Sequence, residues 1–369
     1  MGWPSQARQD RIGGMPARQE LRFCTSGDGT RIAVAAIGSG PPLVRAAHWL
    51  SHVEHDLESP VWKPWLAELS RHRTYIRYDQ RGCGLSDQVI SDFSLDAWVS
   101  DLEAVVDSLG LRRFPLIGMS QGGAVAVAYA VKHPERVSHL ILAGAYARGA
   151  LQREITADDR LEAETLVNLI RLGWGRDNPA FRQVFTNQFI PGGTQAQHQW
   201  WNELERLTAT PENAARTLAA FHRVDVAQDA TRVGVPTLVL HARGDASVPF
   251  DEGRRLAALI PGARFVPLDS DNHVLLDSEP AWGEFMQAVG AFLGNDAGES
   301  RSEASSLTPA EREVLARIAL GLGNLAIAQQ LGKSEKTVRN QVSSIFEKLG
   351  VRTRAEAIVR ARDGGAGRS

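Results

Sequence analysis

Leu116-Ile117-Gly118-Met119-Ser120-Gln121-Gly122-Gly123 joins a short apolar run to an alanine-rich stretch that begins near Ala124. A buried strand that ends in turn residues and passes at once into a helical pattern is a strand-turn-helix junction. Glycine on either side of Ser120 fits a turn so tight that a Cβ two residues away would strike neighbouring backbone. Such a turn lifts the serine oxygen above the sheet, at the N-terminus of a helix whose dipole favours negative charge. The G-x-S-x-G pattern in this context predicts a nucleophile at Ser120.

A serine hydroxyl is a weak nucleophile at neutral pH. It needs a histidine to take its proton and a carboxylate to orient that histidine. Downstream, the apolar run Thr237 to His241 leads into Ala-Arg-Gly-Asp245, and the run Arg264 to Leu268 leads into Asp-Ser-Asp-Asn-His273. Asp245 and His273 are therefore expected on loops at the C-terminal ends of two successive strands, in the order serine, acid, histidine. Asp271 competes for the role of acid, although two residues is too short a span for it to approach the ring of His273 from the opposite side.

The rest of the chain agrees with this junction. Apolar runs at Pro115–Gly118, Val137–Ala143 and Pro236–His241 alternate with helical patterns, which predicts a mostly parallel sheet covered by helices. From about Tyr146 to Thr231 the alternation stops. Charged helical pattern with Trp174, Trp200 and Trp201 takes its place, as expected of a helical cap inserted in the fold. The tryptophans could form core or bind an apolar ligand. His48, His52 and His55 lie close together, but no cysteine or carboxylate set accompanies them, so no metal site is assigned.

Residues 1–19 are polar and read as a flexible N-terminus without the apolar core of a signal peptide. Residues 295–306 are small and polar and read as a linker. Of 369 residues, 43% are hydrophobic and 23% charged, values of a folded soluble protein that exclude a disordered or collagen-like chain. Two cysteines are too few for a disulfide framework, and no run is long enough to span a membrane, so a cytoplasmic protein is expected. The net charge of −2 hides a division, because residues 307–369 carry 11 Lys+Arg against 6 Asp+Glu. The C-terminal segment is basic while the remainder is acidic.

Residues 20–294 resemble the α/β-hydrolase superfamily. Besides the serine, acid and histidine, Asp79-Gln-Arg-Gly-Cys-Gly-Leu-Ser86 is similar to the D-x-R-G-x-G-x-S turn of that family, and His133-Pro-Glu-Arg-Val137 to its helix-to-strand connection. The resemblance implies an α/β-hydrolase fold and no cofactor. It also implies an oxyanion hole made by the backbone N–H groups of Gln121 and, by alignment, Trp49. The family usually has His-Gly after its third strand. Pro42 to Leu50 contains no glycine, which suits a slow enzyme or a receptor.

In the basic segment, Thr308-Pro-Ala-Glu311 is a capping box with proline at the first helical position. The helix it opens carries Val314, Leu315, Ile318 and Ala319 on one face and stops at Gly321. A second helix from about Asn324 turns Ile327, Ala328 and Leu331 inward. Ser334 caps a third, whose apolar positions are Val338, Val342, Ile345 and Leu349, and Thr353-Arg-Ala-Glu356 starts a fourth. The polar face of the third helix carries Lys336, Arg339, Asn340 and Ser343, side chains able to reach base edges and phosphates in a major groove.

This run is similar to the LuxR/GerE-type helix-turn-helix domain, a small four-helix module that places its third helix in the major groove of double-stranded DNA and commonly dimerises through its fourth. The resemblance implies that Arg339, Asn340 and Ser343 face bases and that Lys336 and Thr337 contact phosphates. A homodimeric transcription regulator that senses a small-molecule ligand through its hydrolase-like part is the function expected. The alternative is a serine hydrolase, acting on ester-like substrates or as a cofactor-free perhydrolase, whose C-terminal helices serve assembly alone.

Overall fold

A computed structural model describes residues 18–305, 307–348, 351, 353, 354 and 356–358, which form two compact units that divide at Val289 and Gly290. Residues 1–17, most of the expected N-terminal arm, lie outside the described residues, as do Ser306, Leu349, Val359 and Arg360.

The first unit is built on one eight-stranded sheet. In chain order its strands are β1 (Glu20–Thr25), β2 (Arg31–Gly38), β3 (Pro42–Arg45), β4 (Thr74–Tyr78), β5 (Phe114–Met119), β6 (Val137–Ala143), β7 (Thr237–Ala242) and β8 (Arg264–Leu268). Their spatial order is β1-β2-β4-β3-β5-β6-β7-β8, with β1, β2 and β4 paired antiparallel and every pairing from β4 to β8 parallel. β5, β6 and β7 are buried along their whole length, so helices cover both faces, as an unbroken apolar strand requires.

The covering helices are α1 (Trp62–Ser70), α2 (Leu95–Ser108) and α3 (Gly122–Lys132). After β6 come α4 (Ala157–Gly173), α5 (Arg182–Phe189), α6 (Gln195–Thr208), α7 (Pro211–Phe221) and the short α8 (Ala227–Ala230). α9 (Phe250–Leu259) lies between β7 and β8, and α10 (Pro280–Ser305) follows β8.

α4 to α8 stand between β6 and β7; α4 to α7 leave the sheet as a cap, whose base is tied by a bridge between Arg148 and Asp225, while α8 packs on α3 and α9. Side chains start these helices. Thr156 with Asp159 and Thr194 with Gln197 form reciprocal capping boxes, and Thr210 caps α7 ahead of Pro211. Inside the cap, buried Arg182 donates from Nε to Asn202 O at 2.9 Å and from Nη1 to Trp174 O and Arg176 O at 2.6 Å. One guanidinium thus joins the end of α4 to α5 and α6 through backbone carbonyls.

α10 runs on to Ser305, so the backbone of the expected linker is helical. The sequence gives no sign of it because 295–305 has no apolar stripe, the feature by which a helix is read.

In the second unit, α11 (Pro309–Ala319), α12 (Asn324–Leu331) and α13 (Glu335–Lys348) close around Val314, Ile318, Ile327, Val338 and Ile345, all fully buried. Of the fourth helix, residues 354 and 356–358 are helical, and the Thr353 hydroxyl accepts from the Glu356 N–H. Gly321 at φ 82° and Gly332 at φ 63° take left-handed conformations in the two turns. Glu311 does more than cap α11. It accepts from the Thr308 N–H at 2.7 Å, from Ser344 Oγ at 2.7 Å and from Lys348 Nζ at 2.8 and 2.9 Å, pinning the first helix to the third.

The Lys348 ammonium, the Thr308 N–H and the Ser344 hydroxyl lower the carboxyl of Glu311 from 4.5 to about 2. A carboxylate whose folded pKa is depressed stabilises the fold above its unfolded pKa, and that contribution disappears as pH falls through the folded value. Protection of the α13 amides against hydrogen exchange, taken relative to the intrinsic rate at each pH, is therefore expected to fall between about pH 4.5 and 2. At pH 7, Glu311→Ala should cost the second unit about 1 kcal/mol or more, the usual worth of a lost cap. Unchanged exchange in the variant would contradict the clamp.

Candidate active site and nucleic-acid interface

β5 delivers Ser120 to the top of the sheet with φ 51°, and α3 begins two residues later. The surrounding glycines are there because nothing larger fits. A Cβ on Gly118 would lie 2.6 Å from Gly123 Cα, one on Gly122 would lie 2.8 Å from Ala47 O, and one on Gly123 would overlap Ala145 Cβ. The left-handed backbone at a non-glycine residue is strain held by that packing.

His273, on the loop after β8, and Asp245, on the loop after β7, meet as the strand order allows. The His273 Nδ1 lies 2.7 Å from Asp245 Oδ2, so its N–H donates to the carboxylate. The other oxygen of Asp245 accepts from the Ser247 and Val248 N–H groups at 2.9 and 2.8 Å. Burial works against the charge on Asp245, yet His273 and the Val248 N–H hold its pKa below 3.8. Asp271 is exposed, and its carboxylate packs where a side chain at Gly244 would stand. Ser120, Gln121 and His273 line one cavity.

Sequence reasoning missed His241. This buried residue of β7 places Nε2 2.9 Å from Val248 O and 3.4 Å from Asp245 Oδ2. Burial keeps its pKa below 6.5 against the pull of Asp245, so the neutral ring gives its Nε2 proton to the loop that holds the acid. Its position four residues before Asp245 on an apolar strand was the one available signal.

Trp49, on the loop after β3, lines the same cavity as Ser120. Its indole stacks on Trp174 of the cap at 5.5 Å and meets Phe185 and Phe189 edge-on at 5.9 and 6.1 Å. The loop is braced from beneath by the Asp79 turn. Asp79 Oδ1 accepts from the Val53 N–H and Oδ2 from the Leu85 N–H, both at 2.9 Å, while the Gln80 N–H donates to Ser51 Oγ at 3.0 Å. Arg81 fixes the turn in place, with Nε and Nη2 on Asp101 at 2.7 and 2.6 Å.

In this glycine-free loop the left-handed position falls to Leu50, at φ 64° and 1% exposure. Of the histidines, His55 stacks on Trp200 at 4.8 Å and His48 on Trp62 at 5.0 Å. No group of three metal-ligating side chains occurs among the described residues.

Two spaces open from Ser120. A small one of about 30 Å³ is walled by His48, Trp62, Met119, Phe189 and Trp201. A larger one of about 430 Å³ extends past Trp49 and Phe185 beneath the cap to Tyr146, Arg153 and Arg255. At its far end, Glu252 lies 3.2 Å from Arg255 and 3.7 Å from Arg153. One side is thus aromatic and confined, the other roomy and lined by paired charges.

On the second unit, Lys336, Thr337, Arg339, Asn340 and Ser343 are all exposed on α13, while Val338, Val342 and Ile345 are buried. Arg339 Nη2 reaches Glu335 at 3.2 Å. Thr337 gives its N–H to Ser334 Oγ at 3.1 Å, and Ser343 Oγ donates to Arg339 O at 3.2 Å.

Comparison with known proteins gives matches for both units. A family described as alpha/beta hydrolase fold matches residues 55–280, and one described as bacterial regulatory proteins, luxR family, matches 305–361. The first range contains Ser120, Asp245 and His273, whereas Trp49 precedes it. A non-heme haloperoxidase of Rhodococcus erythropolis is 29% identical over 254 residues, covering 66% of this chain and 89% of the relative. A 2-hydroxy-6-oxo-2,4-heptadienoate hydrolase of Pseudomonas putida is 29% identical over 206 residues, 54% of this chain and 71% of its own. Among solved structures, an esterase from Exiguobacterium antarcticum superposes with a TM-score of 0.63 at 27% identity, covering 73% of this chain and 98% of the esterase.

The conformation of Leu50 has a measurable consequence. Leu50→Ala empties a buried site and should cost about 2–5 kcal/mol. Leu50→Gly loses the same contacts but relieves about 1–2 kcal/mol of left-handed strain, more than the roughly 0.5–1 kcal/mol by which glycine is ordinarily worse than alanine. Chemical denaturation should therefore rank the glycine variant as the more stable of the two. The reverse order would mean that the backbone at Leu50 is not left-handed.

Proposed function

The chain belongs to the α/β-hydrolase fold family and ends in a LuxR-family domain, and from that premise we propose that it is a DNA-binding transcription regulator whose hydrolase-like unit binds a small acyl compound at Ser120. The observation that carries this reading is the coexistence of two kinds of site in one chain. One unit offers an exposed polar helix face, and the other a cavity that converges on a strained serine.

On the DNA side, the reading assigns Arg339, Asn340 and Ser343 to base edges and Lys336 and Thr337 to phosphates, with two copies bound across a two-fold site. An exposed α13 face with its apolar positions buried beneath supports that assignment. In the hydrolase-like unit, Asp245 holds the His273 Nδ1 proton and leaves Nε2 to take the proton of Ser120. The serine oxygen attacks the acyl carbon, and the developing oxyanion is held by the N–H groups of Gln121 and Trp49. His273 then gives the proton to the leaving alcohol as the carbon–oxygen bond breaks, and a water releases the acyl group by the same route. The stack of Trp49 on Trp174 links the oxyanion loop to the cap, so an occupant at Ser120 touches both.

A hydrolase whose C-terminal unit serves assembly is the second reading. It is favoured by the ionised Asp245 and its short bond to His273.

Two sets of variants separate these readings. In fluorescence anisotropy on DNA selected from random sequence by the full chain, Arg339→Ala and Asn340→Ala are expected each to weaken the selected site by about 1–3 kcal/mol and relax specificity. Lys336→Ala should weaken all sequences alike and make the salt dependence shallower by about one phosphate contact. Intact binding in all three would overturn the assignment of this face, and a full chain that selects no DNA would leave the assembly reading. Ser120→Ala should abolish release of 4-nitrophenol from short acyl esters. Turnover that survives in this variant would remove Ser120 from the chemistry.

A further inference from the structure

His48 borders the small cavity at Ser120 and carries a polar atom that the chemistry there leaves unused. Its side chain lines the cavity together with Ser120, Gln121 and His273 and is 6% exposed. Nδ1 lies 2.7 Å from Trp49 O, which can only accept, so Nδ1 carries the proton. Burial first, and then the nearby Arg45 guanidinium, holds the imidazole well below its ordinary pKa of 6.5, so the ring is neutral at neutral pH. A neutral ring protonated at Nδ1 has a bare lone pair at Nε2. That nitrogen is buried and has no hydrogen-bond partner among the described residues.

The ring cannot readily turn to satisfy it. Its face stacks on Trp62 at 5.0 Å, and Trp62 is backed in turn by Arg45 at 5.2 Å. A buried acceptor left unpaired is costly, and the adjoining space of about 30 Å³ has room for one small polar group.

We propose that His48 Nε2 selects the acyl group, accepting a hydrogen bond from a neutral donor, a hydroxyl or an amide N–H, on the acyl part of the compound bound at Ser120. The inference rests on the reading that the acyl carbon sits at that serine. A neutral donor is favoured over an ammonium because the small cavity is lined by Met119, Ala143, Phe189, Val274 and aromatic rings and by no carboxylate. The confined volume limits the acyl part to a few carbons. The alcohol or amine part extends into the 430 Å³ space beneath the cap. Small hydroxyacyl compounds are therefore the expected class.

The test uses the full chain and three 4-nitrophenyl esters, those of propanoate, 2-hydroxypropanoate and 3-hydroxypropanoate, with each kcat/KM corrected for the uncatalysed rate. At least one hydroxy ester should exceed propanoate by roughly tenfold or more, as one good buried hydrogen bond supplies. His48→Phe removes the acceptor and should bring that ratio towards one. His48→Gln, which can place an amide oxygen near the Nε2 position, should restore part of it. A change in overall stability would not move the ratio. Calorimetric binding of the corresponding phenyl esters to Ser120→Ala gives the same comparison without turnover.

If no ester is hydrolysed but the hydroxy ester binds Ser120→Ala more tightly in a His48-dependent way, hydrolysis fails and the role of His48 stands. A ratio near one in the native chain, a ratio unchanged in His48→Phe, or no binding of any ester would overturn the proposal.

Discussion

The candidate active site depends on a close approach of backbones at residues 118–123. Gly118 and Gly123 come so near that a single Cβ on Gly118 would be 2.6 Å from its neighbour, and the carbonyl of Ala47 presses on Gly122 from the adjoining loop. This contact forces the chain from β5 into α3 within two residues and leaves Ser120 with a left-handed backbone. Strain of about 1–3 kcal/mol persists at such a residue only where its surroundings over-determine it. Here the fully buried β5 and its neighbour β6 do so.

From that junction the rest of the site is assembled by loops that the sheet aims at the same point. β7 and β8 bring Asp245 and His273 together, and the loop after β3 brings Trp49 to the cavity that Ser120 lines. The Asp79 carboxylate, holding the N–H groups of Val53 and Leu85, fixes the course of the Trp49 loop from the opposite side. Because Trp49 also stacks on Trp174, the loop and the cap form one aromatic wall. A substituent bound at Ser120 must fit against both.

Much of this was legible in the sequence because it is local. The elbow is set by five consecutive residues, the strands by short apolar runs, and the helices of the second unit by caps and by an apolar period that Val314, Ile318, Ile327, Val338 and Ile345 satisfy. Asp245 and His273 could be placed because loops at strand ends follow from strand order. Features that depend on distant partners could not be read. The grip of Glu311 on Lys348 spans 37 residues, and only its capping half is written nearby. His241 looks like any core histidine until the loop after it folds back. The proton on His48 is fixed by a carbonyl of its own loop, and in a loop without glycine the left-handed turn falls to Leu50. α10 continues through 295–305 without the apolar stripe that would have disclosed it.

The proposal that this chain is a DNA-binding regulator with a ligand site at Ser120 is tested most directly by one comparison, which asks whether filling the serine pocket changes DNA binding. The full chain is reacted with an alkyl fluorophosphonate, which forms a stable phosphonyl ester on an activated serine. Its affinity for the selected DNA is then measured beside that of the unreacted chain and of similarly treated Ser120→Ala. A ligand shifts such an equilibrium only by its differential affinity for the two states. The account expects one modification at Ser120 and a change of at least fivefold in Kd, absent from the variant. Stoichiometric modification with an unchanged Kd would contradict it.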